Sequence, residues 1–409
     1  MEDKSHLTEE EWQAFEACKD KAPSQVALAL HKRVGVRPQV VANQVDCWQR
    51  LKVKVPSWAH MSNFRLTFPT SLALQQCSSE PMARLRRTLV EGTSLIDLTG
   101  GLGVDCYFMS QGLQRVTYVE ANEELCRAVG RNFSLLEAQN ITTVNSTAEE
   151  VLTHNLTAGA HYDTLFIDPS RRDSHGGRVF MLQDCSPNVI ELAEQMLALA
   201  NVVIIKLSTL LDISMVVGAL PNITDVFITE ISGECKDLII KLKRYKETNS
   251  KVLFHSVMVH NDGTADEMKY EVEEEKKAAD LLVYGDPKES MYLFEPSPSL
   301  MKLGPYKLIS QRFGVNPIAS STHVYTSADD VLEFPGRRFK IELVTDMSKK
   351  GIASVKGLYS RASVVVRNFP LKADELRKRL GLKESSENYV YGVTTSQGTH
   401  KLICCKRVG

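Results

Sequence analysis

Short apolar runs alternate with segments of helical periodicity between about residue 64 and residue 242. The run VVIIKL at residues 202–207 is apolar almost throughout, as strands are when both faces of their sheet are covered. Strands separated by crossover helices form a largely parallel sheet with helices on both faces. The alternation therefore predicts a doubly wound α/β domain. Its predicted strands are Ser94–Leu98, Val116–Glu120, Thr142–Asn145, Thr164–Asp168, Val202–Leu207, Asp225–Glu230 and Lys236–Leu242.

The last two predicted strands are separated by too few residues for a crossover helix. The segment between them, ISGE at residues 231–234, contains a glycine and suits a tight turn. Antiparallel strands can be joined in this way, whereas parallel strands cannot. We therefore predict a seven-stranded sheet that is parallel except at one edge.

The rest of the chain predicts three further regions around the α/β domain of residues 64–245. The helical periodicity of residues 1–63 predicts a small N-terminal helical domain that forms a cap on the protein. Thr8 is the predicted N-cap residue of its first helix. Residues 246–332 predict an α+β connecting region of ferredoxin-like character, in which the acidic run Asp266–Lys277 is expected to be a charged helix or loop. Residues 333–409 predict a small α+β domain with the order strand, helix, strand, helix, strand, strand.

The C-terminal region is basic although the whole chain has a net charge of −1. From residue 333 to the end, 16 Lys and Arg face 7 Asp and Glu. Such a surplus indicates a polyanionic partner, or a basic face that only contacts water. Arg367, Arg377 and Lys378 are candidate contacts for phosphate groups.

Cysteine and hydropathy patterns predict a cytoplasmic protein. The chain has nine cysteines, an odd number without zinc or redox spacing, which is typical of a reducing compartment. The acidic N-terminus lacks the apolar region of a signal peptide, and no apolar stretch is long enough to span a membrane. The histidines have no partners at metal-ligand spacing, so we expect no metal.

A glycine turn ends the first predicted strand, in LIDLTGGLGVD at residues 95–105. Glycines let a backbone approach a ligand closely, and ligands bind at the carboxyl ends of strands in open α/β sheets. Glu120 ends the next predicted strand, where a carboxylate can accept hydrogen bonds from ribose hydroxyls. The pattern thus predicts a nucleoside-containing ligand rather than a tight turn without one.

Two cofactors are compatible with this turn, a dinucleotide and S-adenosylmethionine. The dinucleotide pattern needs a third glycine, and Cys106 occupies that position. Asp97, at the mouth of the turn, would oppose a pyrophosphate, which requires a positive environment. An aspartate suits the ammonium and sulfonium groups of S-adenosylmethionine. The residues therefore favour S-adenosylmethionine over a dinucleotide.

The second motif is LFIDPSRRD at residues 165–173, at the end of the fourth predicted strand. Asp168, Pro169, Ser170 and Arg171 are candidate catalytic residues, because this edge would face the transferable methyl group. Asp168 can accept a hydrogen bond from an amino group, and Arg171 and Arg172 can hold a phosphate or carboxylate of the substrate. A strand-ending turn with a salt bridge is the purely structural alternative.

These motifs together resemble the class I S-adenosylmethionine-dependent methyltransferases, which implies a Rossmann-like methyltransferase sheet. The wider pattern resembles a bacterial branch of methyltransferases with a C-terminal THUMP-like domain, and the similarity covers most of the chain from about residue 64. The segments that carry it are DLTGGLGVD, YVEAN, FIDPSRRD, SLALQQCSSEPMA, VIIKLS, GECKDLII, YLFEPSPSLM and VVVRNFPLKADELRKRL.

The resemblance and the motifs imply a set of site residues. The candidate cofactor-binding residues are Ser78, Ser79, Asp97, Thr99, Gly100, Gly101, Gly103, Asp105, Glu120, Ala121, Thr147, Ala148 and Asp168. Ser78 and Ser79 would line the methionine end, together with Glu80, and Ala121 would lie beside the adenosine. Candidate substrate-binding residues are Arg171, Arg172, Lys206, Arg367, Arg377 and Lys378.

The sequence departs from related methyltransferases at three places. Thr147 occupies the position of an acid that often reaches the adenine amino group, so its hydroxyl or the Ala148 amide would replace that acid. Enzymes that methylate base amino groups usually carry an aromatic residue where Ser170 stands. Lys206-Leu207-Ser208 contains no cysteine, so covalent catalysis of the uracil C5 type is not expected.

Three functions are compatible with this sequence. The favoured one is direct methyl transfer from S-adenosylmethionine to RNA, with the basic C-terminal region binding phosphates. A methyltransferase that acts on a protein or small molecule is the second, and a non-catalytic S-adenosylmethionine-binding module is the third. The sequence does not indicate the methylated atom or the oligomeric state.

Overall fold

The computed structural model describes residues 6–61, 65–171, 181–245, 250–278 and 282–408, without the side chain of Arg171. The chain forms two compact units. Unit 1 comprises residues 1–227, 236–251 and 259–265. Unit 2 comprises residues 228–235, 252–258 and 266–409.

Unit 1 begins with four helices, as the N-terminal periodicity predicts. They are α1 (Glu9–Cys18), α2 (Pro23–Leu30), α3 (Pro38–Lys54) and α4 (Pro56–Met61). The Thr8 hydroxyl accepts a hydrogen bond from the amide of Glu11, and the Glu11 carboxylate accepts one from the amide of Thr8. This capping box confirms the predicted helix start. The rings of Trp12 and Trp48 each pack edge to face against Phe15, within the buried core.

All seven strands expected from the alternating pattern are present. They are β1 (Ser94–Asp97), β2 (Arg115–Glu120), β3 (Ile141–Asn145), β4 (Tyr162–Ile167), β7 (Ala200–Leu207), β8 (Ile223–Ile231) and β9 (Glu234–Lys243), with β5 (Ser170–Arg171) and β6 (Cys185–Ser186) forming a separate two-stranded ribbon. The helices between them are α5 (Ser71–Gln76), α6 (Glu80–Arg87), α7 (Val104–Met109), α8 (Glu123–Leu135), α9 (Ala148–Thr157), α10 (Val189–Leu199) and α11 (Ile213–Ala219), with a short 3-10 helix at Leu182–Asp184.

The sheet of unit 1 has the order β3-β2-β1-β4-β7-β9, followed by β8. Its strands are parallel up to β7, and β9 runs antiparallel to β7, which confirms the predicted antiparallel edge. In the sheet, β2 and β3 lie on one side of β1 and β4 lies on the other, so the direction in which successive strands are added reverses after β3. This reversal opens a crevice at the carboxyl ends of β1 and β4, where open α/β sheets bind ligands.

β10 (Leu253–Val259) and β11 (Ala265–Glu271) continue the same sheet beyond β8, in the order β8-β10-β11, so the sheet has nine strands among the described residues, two more than predicted. The prediction for Asp266–Lys277 is wrong in its first half, since that segment is strand until Glu271 and only then becomes helix α12 (Val272–Ala278). Met268 and Tyr270 are buried there between exposed polar residues. This two-residue alternation is typical of a strand, and the acidic composition concealed it.

A second sheet lies in unit 2. Its strands come from both sides of position 332/333, the predicted boundary between the connecting region and the C-terminal domain, and that boundary stays a prediction. The strand order of this sheet is β13-β14-β12-β15-β18-β17-β16. The strands are β12 (Tyr292–Pro296), β13 (Asn316–Pro317), β14 (Tyr325–Ser327), β15 (Gly336–Thr345), β16 (Ser363–Arg367), β17 (Asn388–Thr394) and β18 (His400–Arg407). The helices are α13 (Pro298–Leu303), α14 (Tyr306–Phe313), α15 (Lys349–Leu358) and α16 (Ala373–Leu380). The C-terminal elements follow the predicted order.

Among the described residues, no helix combines the length and the apolarity that crossing a bilayer requires. All nine cysteines are described, and none of them forms a disulfide with another.

Candidate active site

A cavity of about 1040 Å³ opens at the carboxyl edge of the unit 1 sheet. It brings together most of the candidate residues, although they come from segments far apart in the chain. Those that line it are Ser78, Asp97, Thr99, Gly100, Gly101, Gly103, Asp105, Glu120, Ala121, Thr147, Ala148, Asp168, Pro169, Ser170 and Lys206.

The glycine turn forms the floor of this cavity. A side-chain carbon at Gly100 would lie 2.0 Å from the ring of Tyr118, so only glycine fits there. Gly101 has a φ of +53°, a conformation that favours glycine, and no atom within 3.9 Å of the place where a side chain would begin. The turn thus leaves open space above Gly101, where a ligand can approach the backbone.

Glu120 is fixed by the backbone of the turn. One carboxylate oxygen accepts a hydrogen bond from the amide of Gly101 at 2.9 Å, and the other accepts one from the amide of Asn122 at 2.8 Å. A carboxylate has about four acceptor sites, so two hydroxyl groups can still bind. The geometry therefore suits a ribose.

Asp97 is fully buried at the base of the cavity. Its Oδ1 accepts a hydrogen bond from the Thr99 amide at 3.0 Å, whereas Oδ2 has no hydrogen-bond partner. Burial raises the pKa of Asp97 well above its ordinary value, and neighbouring carboxylates raise it further. A buried carboxylate oxygen without a partner is costly, and an ammonium group would supply both the missing hydrogen bond and the missing charge.

Asp168 is held on both its backbone and its side chain. Its amide donates to the Thr99 hydroxyl at 2.6 Å, and its Oδ2 accepts from the Lys206 ammonium, also at 2.6 Å. Burial raises the pKa of Asp168, although Lys206 opposes the shift. Asp168 and Lys206 lie next to each other at this edge of the sheet because β4 and β7 are adjacent parallel strands.

Further buried ion pairs lie next to Lys206, with positive and negative side chains alternating. Arg86 is 1% exposed and lies between two carboxylates, forming ion pairs with Asp105 and, at 2.5 Å, with Asp237. The Lys206 ammonium is 3.8 Å from a carboxylate oxygen of Asp105. Arg86 and Asp237 were not predicted from the sequence, and nothing in the RLRR segment at residues 84–87 distinguishes the buried Arg86 from the exposed Arg84 and the half-buried Arg87.

Ser78 and Ser79 have different positions. The Ser78 hydroxyl donates to Asp105 at 2.7 Å and lines the cavity, whereas Ser79 lies outside the lining and precedes helix α6. The Glu80 carboxylate is also directed elsewhere, since it accepts hydrogen bonds from the Ser57 amide and the Arg84 guanidinium. Only Ser78 of this segment therefore reaches the expected methionine end.

The opposite end of the cavity carries Thr147 and Ala148 at the start of helix α9. The Thr147 hydroxyl accepts a hydrogen bond from the amide of Glu150, so it caps the helix. Glu149, which was not among the predicted site residues, is exposed and also lines the cavity. Its carboxylate stands two residues after the position at which an adenine-binding acid was expected.

Ser170 and Arg171 form the ribbon strand β5. Ser170 is exposed, and its hydroxyl donates to the carbonyl oxygen of Ser186 at 3.1 Å. The side chain of Arg171 and the whole of Arg172 lie outside the described residues.

The candidate phosphate contacts of unit 2 differ in their partners. Arg367 forms an ion pair at 2.6 Å with the buried carboxylate of Glu295. Arg377 forms ion pairs with Asp374 and Glu384 on the surface. Lys378 is exposed, as is the adjacent Arg379. Lys378 is thus more accessible to a phosphate than the two arginines predicted with it.

Acidic side chains predominate around the cavity. Among its described lining residues, six are carboxylates and two are lysines. Such a lining favours a cationic ligand and disfavours a pyrophosphate. No cluster of three or more metal-binding side chains occurs in the part of the chain that the structure describes.

Three family descriptions match successive parts of the sequence. Residues 80–201 match the methyltransferase family described as conserved hypothetical protein 95. Residues 292–335 match a ferredoxin-like domain, and residues 336–407 match the family described as THUMP domain-like. No curated protein sequence matches the chain.

A crystal structure from Porphyromonas gingivalis W83, described as that of a candidate methyltransferase, is similar over the whole length. It has 27% sequence identity, a TM-score of 0.87, and coverage of 99% of this chain and 100% of that one. The candidate methyltransferase yhhF from Escherichia coli has 20% identity, a TM-score of 0.29, and coverage of 40% of this chain and 86% of that one. The matches at residues 80–201 and 336–407 and the full-length similarity to the Porphyromonas gingivalis structure confirm the resemblance to class I S-adenosylmethionine-dependent methyltransferases with a THUMP-like domain.

Proposed function

We propose that this protein is an S-adenosylmethionine-dependent methyltransferase that acts on RNA by direct methyl transfer. The observation that carries the proposal is Asp97, a fully buried carboxylate whose Oδ2 lacks a partner at the base of an acidic cavity. The amino group of S-adenosylmethionine supplies the partner that this oxygen lacks. The methyltransferase family match and the full-length structural similarity support the same activity.

The cavity residues fit the other parts of this cofactor. Glu120 would bind the ribose hydroxyls, since both of its oxygens are held in place by backbone amides and retain acceptor capacity. Gly101 leaves room for the cofactor to approach the turn. Glu149 and the Thr147–Ala148 helix start would surround the adenine, and Ser78 would lie at the methionine end.

The cofactor supplies an activated methyl group on a sulfonium, so the protein contributes mainly positioning. Asp168 is suited to orient an acceptor, because Thr99 fixes its backbone and Lys206 fixes one of its carboxylate oxygens. Pro169 follows directly and restricts the backbone of the same edge. Ser170, which lines the cavity from strand β5, would extend its substrate side.

RNA is the proposed substrate class because the C-terminal region is basic and matches a THUMP-like family. Lys378 and Arg379 lie exposed in the last turn of helix α16. Cations at such positions can bind phosphates without reading sequence.

We expect the affinity for RNA to fall steeply between low and moderate salt, because bound phosphates release counterions. The double variant Lys378→Glu/Arg379→Glu should weaken binding and lower the slope of log affinity against log salt by about one to two. Fluorescence anisotropy with a labelled RNA measures both quantities. Lys32→Glu, a charge reversal at an exposed lysine near the N-terminus, is the matched control and should leave the slope unchanged. A salt-independent affinity would contradict phosphate binding.

The activity is tested with total RNA from a strain that lacks the protein. Purified full-length protein and S-adenosylmethionine labelled in the methyl group should transfer label to this RNA, and less to RNA from the parent strain. Label in protein or small molecules instead of RNA would support the alternative substrate classes. Cofactor binding by calorimetry without transfer to any of these fractions would indicate a non-catalytic binding module.

A further inference from the structure

We propose that the methyl acceptor is a hydroxyl group of RNA, the 2′-hydroxyl of a ribose, and that Asp168 and Lys206 act on it as a pair. This inference rests on the proposed function and names the acceptor chemistry of the same cavity. It differs from a base amino group, which the aspartate-proline motif by itself would suggest.

Asp168 and Lys206 belong to different sequence motifs, and the fold brings them together in the cavity wall. Asp168 and Lys206 come from adjacent parallel strands, and both line the cavity at its carboxyl edge. Their 2.6 Å contact occupies Oδ2 of Asp168. None of the described residues donates a hydrogen bond to the remaining oxygen, Oδ1. One carboxylate oxygen and one ammonium group therefore lie side by side in the cavity lining.

Lys206 is held in its charged form. Its ammonium contacts Asp168, is 3.8 Å from Asp105, and is 3.3 Å from the Ser78 hydroxyl. Burial lowers the pKa of Lys206, but the Asp168 and Asp105 carboxylates outweigh this effect and the net pKa is raised. An ammonium that stays protonated donates hydrogen bonds and positive charge, and it does not remove a proton.

The positive charge of Lys206 favours a hydroxyl acceptor over an amino acceptor. A base amino group gains positive charge as its nitrogen accepts the methyl group, and a neighbouring ammonium opposes that change. A hydroxyl becomes a strong nucleophile when it loses its proton and its oxygen becomes negative. A fixed ammonium stabilises that oxygen, and an adjacent carboxylate can take the proton.

The transfer balances with these two groups. The acceptor oxygen uses a lone pair to form the new O–CH₃ bond, and its proton passes to Oδ1 of Asp168. The S–CH₃ bond breaks with its electron pair remaining on sulfur, so the sulfonium becomes a neutral thioether. Lys206 stays protonated throughout and stabilises the oxygen as negative charge develops on it. Asp168 then releases the proton to water.

The surroundings of the pair suit a ribose better than a flat base. Phe166 is the only aromatic residue among the described lining residues, and it is 1% exposed. Ser170, at the position of the usual aromatic platform, is exposed and bound to a backbone carbonyl. A ribose requires no stacking platform for its hydroxyl to reach Asp168.

The test uses the full-length protein, methyl-labelled S-adenosylmethionine and total RNA from a strain that lacks the protein. Alkali cleaves RNA only next to a free 2′-hydroxyl, so a methylated ribose yields alkali-resistant dinucleotides. We expect the label in these dinucleotides. Lys206→Met should lower the rate of transfer about 100-fold or more, with the affinity for S-adenosylmethionine changed less than about threefold. Lys206→Arg, which keeps the charge, should retain more activity than Lys206→Met.

Lys241→Met is the matched control, because Lys241 is a largely buried lysine that pairs with Glu91 at 2.6 Å and does not line the cavity. It should transfer methyl groups at the wild-type rate. Label in a methylated base would overturn the hydroxyl acceptor while leaving the RNA methyltransferase intact. An absence of label from RNA would overturn the proposed substrate class, and the hydroxyl acceptor with it. Equal activity of Lys206→Met and wild type would refute the role of the ammonium.

Discussion

Asp97→Asn is expected to weaken S-adenosylmethionine binding about 100-fold, since losing one member of a buried charge pair costs roughly 3 kcal/mol. Asparagine has the same shape and can still accept the Thr99 amide through its side-chain oxygen. At the position of Oδ2 the variant places an amide NH₂ group, so the loss of affinity reports both the charge and the acceptor that Oδ2 provides. Titration calorimetry measures the affinity.

The same substitution should raise the thermal stability of the ligand-free protein near neutral pH. Because the pKa of Asp97 is raised in the folded state, stability falls as pH rises from the unfolded pKa to the folded one, and stays lower above it. Asparagine removes this penalty. The stability gain should be greatest at neutral pH and vanish below about pH 4, where aspartate is protonated in both states.

Asp163→Asn provides the opposite control. Backbone and side-chain hydrogen bonds from Thr93 and Ser94 lower the pKa of Asp163, so its charge stabilises the fold above the unfolded pKa. This variant should lose stability at neutral pH and keep its cofactor affinity, because Asp163 does not line the cavity. Cofactor binding by Asp97→Asn at wild-type affinity would remove the main support for the proposed cofactor site.

Arg86→Met is expected to destabilise unit 1 by about 3–5 kcal/mol, the cost of removing one partner from a buried ion pair. The guanidinium is 1% exposed and lies between Asp105 and Asp237, so its loss leaves two buried carboxylates without their shared cation. Trp12, Trp48 and Trp58 all belong to unit 1. Tryptophan fluorescence during urea unfolding therefore reports on this unit.

Two further variants separate charge from packing. Arg50→Met removes an exposed pair with Asp46 and should cost less than about 1 kcal/mol. The triple variant Arg86→Met/Asp105→Asn/Asp237→Asn should recover part of the stability lost by Arg86→Met, since it also neutralises the two carboxylates. If the triple variant is no more stable than Arg86→Met, the loss comes from packing and not from unpaired charge.

Much of the fold was predictable because its signals are local. The apolar runs and helical segments specify strands and helices within about ten residues, and the parallel order follows from their alternation. The strand at Asp266–Glu271 was wrongly predicted as a charged helix or loop. There the two-residue spacing of Met268 and Tyr270 was hidden by charged neighbours, and only their burial in the structure reveals the strand.

The sequence alone determined the fold class, the glycine turn and the positions of Asp97, Glu120 and Asp168, because each of these depends on residues that are close in the chain. The tertiary structure decided what these carboxylates contact. Arg86 and Asp237 are 151 residues apart and Lys206 and Asp168 are 38 apart, so no local pattern pairs them. The adjacent strands β4, β7 and β9 place Asp168, Lys206 and Asp237 near one another, and Arg86 of helix α6 pairs with Asp237. Burial then makes these charges interact strongly. The packing of side chains around Asp97 also leaves its Oδ2 without a hydrogen-bond partner, a feature that depends on all of those neighbours.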